Sequence, residues 1–95
     1  MLDLSYNQIS DLTPLKSITW LEWADLNSNQ ISDLTPIQSL TELTVLALSY
    51  NQISDLTPLK SMTRLEWVNL SGNPLTQEQI DELQKALPNC TIIFE

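Results

Sequence analysis

Leu43-Thr44-Val45-Leu46-Ala47-Leu48-Ser49-Tyr50-Asn51 reads L-x-x-L-x-L-x-x-N, and the rest of the chain is organised by its recurrence. Counting back 22 residues returns Leu21, Ala24, Leu26 and Asn29; counting forward 22 returns Leu65, Val68, Leu70 and Asn73. One step further back, Leu2, Leu4 and Asn7 keep the frame. A fixed period of this size marks a solenoid, in which each repeat hides its apolar side against its neighbours. The 95 residues therefore form one domain without needing a central core. Its expected parts are a truncated first repeat at 1–20, full repeats at 21–42 and 43–64, the start of a fourth at 65–75, and a C-terminal cap at 76–95.

Two periodicities sit inside each repeat. Val45 to Ser49 alternates, which is strand spacing, with Leu46 and Leu48 inward and Val45, Ala47 and Ser49 outward. After the Asn, apolar residues recur at every third position: Ile31, Leu34, Ile37, Leu40. Spacing of three suits a 3₁₀ turn, where i and i+3 eclipse. Thr13-Pro14, Thr35-Pro36 and Thr57-Pro58 open these turns, with Thr expected as cap and Pro at the first helical position. Equivalent strands then stack in parallel at about 4.8 Å, and thin backs keep the arc shallow.

Asn7, Asn29, Asn51 and Asn73 fall where each strand turns inward and strands backbone groups away from water. An amide carries both donors and an acceptor to satisfy them, and stacked amides bridge adjacent turns. Asp at these places would bury like charges, so the four Asn are read as a structural ladder. Asp11, Asp33 and Asp55 form a second ladder on the opposite side. Single carboxylates one repeat apart do not assemble a calcium site, so they are read as turn residues that bond backbone amides before Leu-Thr-Pro.

The 22-residue frame L-x-x-L-x-L-x-x-N-x-I-x-x-L-x-P-L resembles the leucine-rich repeats of the bacterial internalin type. Asn29-Gln30-Ile31-Ser32-Asp33-Leu34-Thr35-Pro36-Ile37 carries the resemblance most clearly, and the match spans residues 2 to 75. The resemblance implies an α/β right-handed solenoid with parallel strands on the concave face and 3₁₀ turns on the convex face. It also implies protein binding on the concave sheet. The chain differs from that family in showing neither a helical N-terminal cap nor an export signal at its start.

Beyond residue 75 the pattern changes. Thr76-x-x-Gln79 is a capping-box signal, and a helix from Gln77 to about Leu87 is expected, with Ile80, Leu83 and Leu87 on one side. Glu78, Asp81 and Glu82 lie early in it and Lys85 late, as the helix dipole prefers. Pro88-Asn89 ends it, and Cys90 to Phe94 reads as a last strand. The 22-residue frame would place Cys90 beside Val68 and Ile92 beside Leu70. Cys90 has no cationic neighbour and reads as a small core residue rather than a reactive thiol.

Residues 4–17 and 48–61 are identical, LSYNQISDLTPLKS, and Leu21-Glu22-Trp23 recurs as Leu65-Glu66-Trp67. The underlying unit thus reads as 44 residues, the product of recent duplication or of consensus-like design.

Composition narrows the function. Twelve acidic against four basic side chains give a net charge of −8, which disfavours nucleic acid and anionic membrane surfaces. No apolar run reaches the length of a transmembrane helix, and Met1-Leu2-Asp3 does not open a signal peptide. A single Cys excludes an internal disulfide and fits a reducing compartment, so the cytoplasm is favoured. The absence of His removes the commonest general base and metal ligand; neither catalysis nor a cofactor or metal is expected. Asn69-Leu70-Ser71 and Asn89-Cys90-Thr91 match the glycosylation triplet but are discounted for want of an export signal.

The outward strand positions supply the candidate partner surface: Trp23, Asp25 and Asn27; Val45, Ala47 and Ser49, with Tyr50 just past the strand; and Trp67, Asn69 and Ser71. Trp23, Val45 and Trp67 form an aromatic-aliphatic-aromatic row, and Trp and Tyr are typical interface anchors. Glu22, Asp25 and Glu66 beside it favour a basic partner. The competing reading is that the row covers itself. Trp20, in line with Glu42 and Arg64, serves as a rim contact or covers the first repeat.

Leu2, Leu4, Ile9, Leu12, Leu15 and Ile18 are expected to be open on one side. Two copies meeting through their first repeats would close it, as would further repeats in a longer array; a homodimer is the testable version. The leading functional expectation is a protein- or peptide-binding module. The alternative is a structural or self-assembling solenoid with no heterologous ligand.

Overall fold

The computed structural model describes residues 1–95 and measures 30 × 24 × 18 Å. Five short strands, β1 (Leu2–Asp3), β2 (Trp23–Asp25), β3 (Val45–Ala47), β4 (Trp67–Asn69) and β5 (Thr91–Ile93), form one sheet in sequence order. Every pairing is parallel. Behind the sheet lie 3₁₀ turns at Thr13–Leu15, Thr35–Ser39 and Thr57–Ser61, followed by one α-helix, α1 (Gln77–Ala86).

The register follows the 22-residue frame through four strands: Leu2 pairs with Ala24, Ala24 with Leu46, and Leu46 with Val68. Leu26, Leu48 and Leu70 continue each strand inward and are essentially fully buried. Their amides are taken by the next repeat, Leu26 N donating to Ala47 O, Leu48 N to Asn69 O and Leu70 N to Ile93 O, at 2.8–2.9 Å. On the other side of the core, Ile31, Leu34, Ile37 and Leu40 are buried from the 3₁₀ turns, as are Ile53, Leu56, Leu59 and Met62. One apolar cluster therefore runs the length of the stack.

The Asn ladder performs the expected task. Asn51 Oδ1 accepts from the Ile31 amide of the preceding repeat at 3.0 Å, and its Nδ2 donates to Leu26 O and Leu48 O. Asn29 and Asn73 do the same one repeat down and one repeat up. Asn7 bonds only within its own turn, to Leu4 O and Ser5 O, and is exposed.

The 3₁₀ turns depart from the expected capping. Leu12, Leu34 and Leu56 hold the cap position, with Thr and Pro following as the first turn residues and no side-chain cap from Thr. The amides of Thr13, Thr35 and Thr57 instead donate to Oδ1 of Asp11, Asp33 and Asp55, at 2.9 Å each. Asp two residues upstream has the reach for this turn; Thr, already inside the helix, does not.

The C-terminal segment closes the stack with a different register. Thr76 and Gln79 form a reciprocal capping box at the start of α1, as expected, and Ile80 and Leu83 face the core. However, β5 pairs Val68 with Ile92 and Trp67 with Thr91, an offset of 24 rather than 22. Cys90 therefore precedes the strand instead of lying beside Val68. The α-helix rises less per residue than a tight turn, so this crossover needs a longer chain. Cys90 is buried, and burial pushes its thiol pKa up, which disfavours the reactive thiolate.

In the first repeat the open-end expectation needs correction. Leu12 and Leu15 are buried, while Leu2, Leu4, Ile9 and Ile18 are half-buried against the same core. Trp20 does not cover this end; it is 72% exposed.

Candidate functional site

The sheet face is built from three columns. The first runs Trp23, Val45, Trp67, Thr91; the second Asp3, Asp25, Ala47, Asn69, Ile93. The third lies just past the strands: Ser5, Asn27, Ser49, Ser71 and Glu95, where Ser28 N donates to Ser49 O and Tyr50 N to Ser71 O. Strand alternation points all of these away from the leucine core.

The Trp–Val–Trp row is present in the expected register, with Trp23 beside Val45 and Val45 beside Trp67. All three are half-buried, since large side chains at neighbouring strand spacing shade one another. Asp25, Asn27 and Asn69 are likewise half-buried.

Ala47, Ser49 and Ser71, expected as accessible contacts, are buried. Ala47 is a short side chain between Asp25 and Asn69 in register, so its neighbours overhang it. Ser49 is occupied internally: its amide and hydroxyl both donate to Asn27 Oδ1 at 2.7 Å. The Ser71 amide donates to Asn69 Oδ1 at 3.0 Å, and its hydroxyl accepts from the Glu95 amide at 3.1 Å. These hydrogen bonds stiffen the face, and together with the shading of Ala47 they remove Ala47, Ser49 and Ser71 from the surface a partner can touch.

Charge is segregated across the fold. Lys16 and Lys60 lie on the 3₁₀ side and Lys85 in the last turn of α1. Arg64 is paired with Glu42, and Lys60 with Glu82 at 3.6 Å. The strands carry Asp3 and Asp25, and exposed Glu22 and Glu66 precede the two tryptophans. The Ser5 hydroxyl and amide beside Asp3 hold its carboxyl below the ordinary value. On the turn side, the Thr hydroxyl and then the Thr amide lower Asp11 and Asp55, while at Asp33 the Thr35 amide leads. No three His, Cys, Asp or Glu side chains group closely enough to hold a metal ion. No helix is long and apolar enough to cross a membrane.

Leucine-rich-repeat models match residues 19–61 (two copies), 64–86 and 2–12. The chain belongs to the leucine-rich repeat family. Its repeats are of the 22-residue, internalin-like type. Among solved structures it is similar to an internalin (inlF) of Listeria monocytogenes, at 34% identity and a TM-score of 0.89 over 99% of this chain and 28% of that one. It is also similar to internalin C2 of the same organism, at 34% identity and a TM-score of 0.87 over 97% of this chain and 39% of that one. A leucine-rich-repeat protein of Leptospira interrogans matches at 28% identity and a TM-score of 0.86, over 99% of this chain and 25% of that one. The chain thus spans well under half the length of each of these structures. No curated protein matches the sequence.

Two features of this leucine-rich-repeat face escape the frame count. Thr91 and Ile93 extend the first two columns, through the longer C-terminal crossover. The other is a column of left-handed backbone just past the strands: Tyr6, Ser28 and Tyr50 at φ 58 and Gly72 at φ 72. Gly72 in the fourth repeat was the available signal, since equivalent repeats share backbone conformation and glycine is the residue that adopts it freely. Tyr50 lies over Gly72: a Cβ there would come within 2.5 Å of its ring. Tyr50 and its counterpart Tyr6 are 66% and 82% exposed, at the far rim of the face from the Trp row.

Proposed function

We propose that this leucine-rich-repeat chain is a protein-interaction module whose sheet face holds a protein or peptide. The contact residues are Trp23, Val45 and Trp67 with Asp25, Asn27 and Asn69, and Tyr50 at the rim. The observation that carries this reading is the in-register Trp–Val–Trp row on a face whose three columns contain no Lys or Arg. Large aromatic anchors on a rigid frame lose little entropy on binding, and an acidic surround steers basic partners. No catalytic step or cofactor enters this reading.

The double replacement Trp23→Ser with Trp67→Ser tests it. Loss of partner capture with an unchanged melting temperature supports the interaction face. Retained capture, or a collapse of the fold with nothing captured by the parent chain, overturns it. A second reading, self-association, is favoured by β1, which has a neighbour on one side only and leaves Leu2, Leu4, Ile9 and Ile18 half-covered. Sedimentation at micromolar concentration separates the two, because a dimer that forms through β1 leaves the Trp row free.

A further inference from the structure

Resting on the sheet-face reading above, we propose that the face recognises a polyproline II segment with cationic side chains three residues apart, lying across the strands. Leu21-Glu22-Trp23 and Leu65-Glu66-Trp67 are the same tripeptide, placed two repeats apart. The register Trp23–Val45–Trp67 separates the two Trp Cα positions by two strand spacings, about 9.6 Å. The backbones of Glu22 and Glu66 are held to the same spacing. Thr44 N and Val45 N donate to Glu22 O, Glu66 N and Trp67 N donate to Thr44 O, and Thr91 N donates to Glu66 O. The face therefore offers the same Glu-Trp pair twice, the Glu exposed and the Trp half-buried, with neutral Thr44-Val45 between them.

A ligand that reads both units must present equal groups at that distance on one of its sides. In polyproline II every third residue returns to the same side after about 9.3 Å. An extended β-strand returns at about 6.6 Å or 13 Å and misses. An α-helix returns at i+7 after about 10.5 Å, but its i+3 and i+4 side chains would press on Val45 between the units. Its width of about 10 Å also equals the whole three-residue strand. The polyproline II backbone leaves its carbonyls unpaired, and an indole N–H can donate to them.

The charge of the occupant follows from the units themselves. A guanidinium over an indole gains from the ring quadrupole, and the negative charge of the exposed Glu22 and Glu66 next in the chain attracts it from farther off. The three columns of the sheet face carry no basic side chain to oppose it: Lys16 and Lys60 are on the turn side, Lys85 is on α1, and Arg64, three residues before Trp67, is engaged with Glu42.

Calorimetric titration of the full chain with three synthetic peptides of equal charge tests this. They are Pro-Pro-Arg-Pro-Pro-Arg-Pro-Pro, the isomer Pro-Pro-Pro-Arg-Pro-Arg-Pro-Pro, and an alanine-based helix with two arginines seven apart. The first is expected to bind about tenfold tighter than either of the others, and Trp23→Ser and Trp67→Ser are each expected to weaken it about tenfold. Glu22→Gln and Glu66→Gln, at exposed positions remote from the core, are each expected to weaken it about threefold and flatten its salt dependence. Equal affinities, a tightest helix, or no binding by the first peptide overturns the spacing. If that happens while a protein partner is still lost on replacing both tryptophans, the interaction face stands and only the polyproline II occupant falls.

Discussion

Residues 4–17 and 48–61 are the same fourteen letters folded in two different places. The turn conformation and the Asp bond to the turn amide, both decided within a few residues, are the same in both. Tyr6 and Tyr50 adopt the same left-handed φ of 58, and Asp11 and Asp55 accept from Thr13 and Thr57 at the same 2.9 Å. Everything decided across a repeat differs. Leu4 and Ile9 are half-buried where Leu48 and Ile53 are fully buried, and Pro14 is exposed where Pro58 is buried. The 3₁₀ turn is three residues long in the first copy and five in the second. Asn7 satisfies only its own loop, whereas Asn51 ties two repeats together. Identical side chains thus do different physical work depending on whether a repeat stands on both sides.

The largest expected contrast is in the leucines. Leu48→Ala should cost about 4 kcal/mol by urea denaturation, since it opens a cavity between two packed neighbours, and Leu4→Ala about half that. Equal losses would mean the first repeat is packed as tightly as the third. Next come the asparagines. Asn51→Ala leaves the Ile31 amide without a partner in a buried place, takes one of two donors from each of the Leu26 and Leu48 carbonyls, and should cost about 3 kcal/mol. Asn7→Ala, in water, should cost less than about 1 kcal/mol.

The Asp ladder should erase the contrast instead of showing it, because its bonds are local. Asp11, Asp33 and Asp55 are held below their ordinary value of 3.8 in the fold, so the folded chain binds fewer protons than the unfolded one there. Their contribution is complete above pH 3.8 and is lost as pH falls through the lowered values. Acid titration of melting temperature should therefore fall less steeply when all three are Asn, which keeps the acceptor without the charge. The replacement at Asp11 should matter as much as that at Asp55. The smallest effect is expected at Ser28, whose φ of 58 is the one glycine accepts in the next-but-one repeat. Ser28→Gly should raise stability by no more than about 1 kcal/mol in thermal melts, by relieving left-handed strain.

The repeat frame, the inward leucines, the Asn ladder, the Asp turns and the capping box at Thr76 were all legible, because each rests on spacing and on side-chain chemistry reaching a few residues. The Trp row was legible for the same reason: 22-residue register plus strand alternation brings Trp23, Val45 and Trp67 into one line. What could not be read was how much of that face remains open. Ala47, Ser49 and Ser71 are covered by neighbours 22 or 24 residues away, and such shading depends on the size of the side chain alongside.

By sequence alone this chain was committed to parallel coils with leucine inside and an aromatic row outside, since period and alternation are properties of the backbone that every copy shares. The pairing of β5 came only with tertiary structure, because an α-helical crossover lengthens the last coil to 24 residues and shifts Ile92 beside Val68. So did the unequal burial of two identical segments, because burial belongs to the atoms next door and not to the residue that is buried.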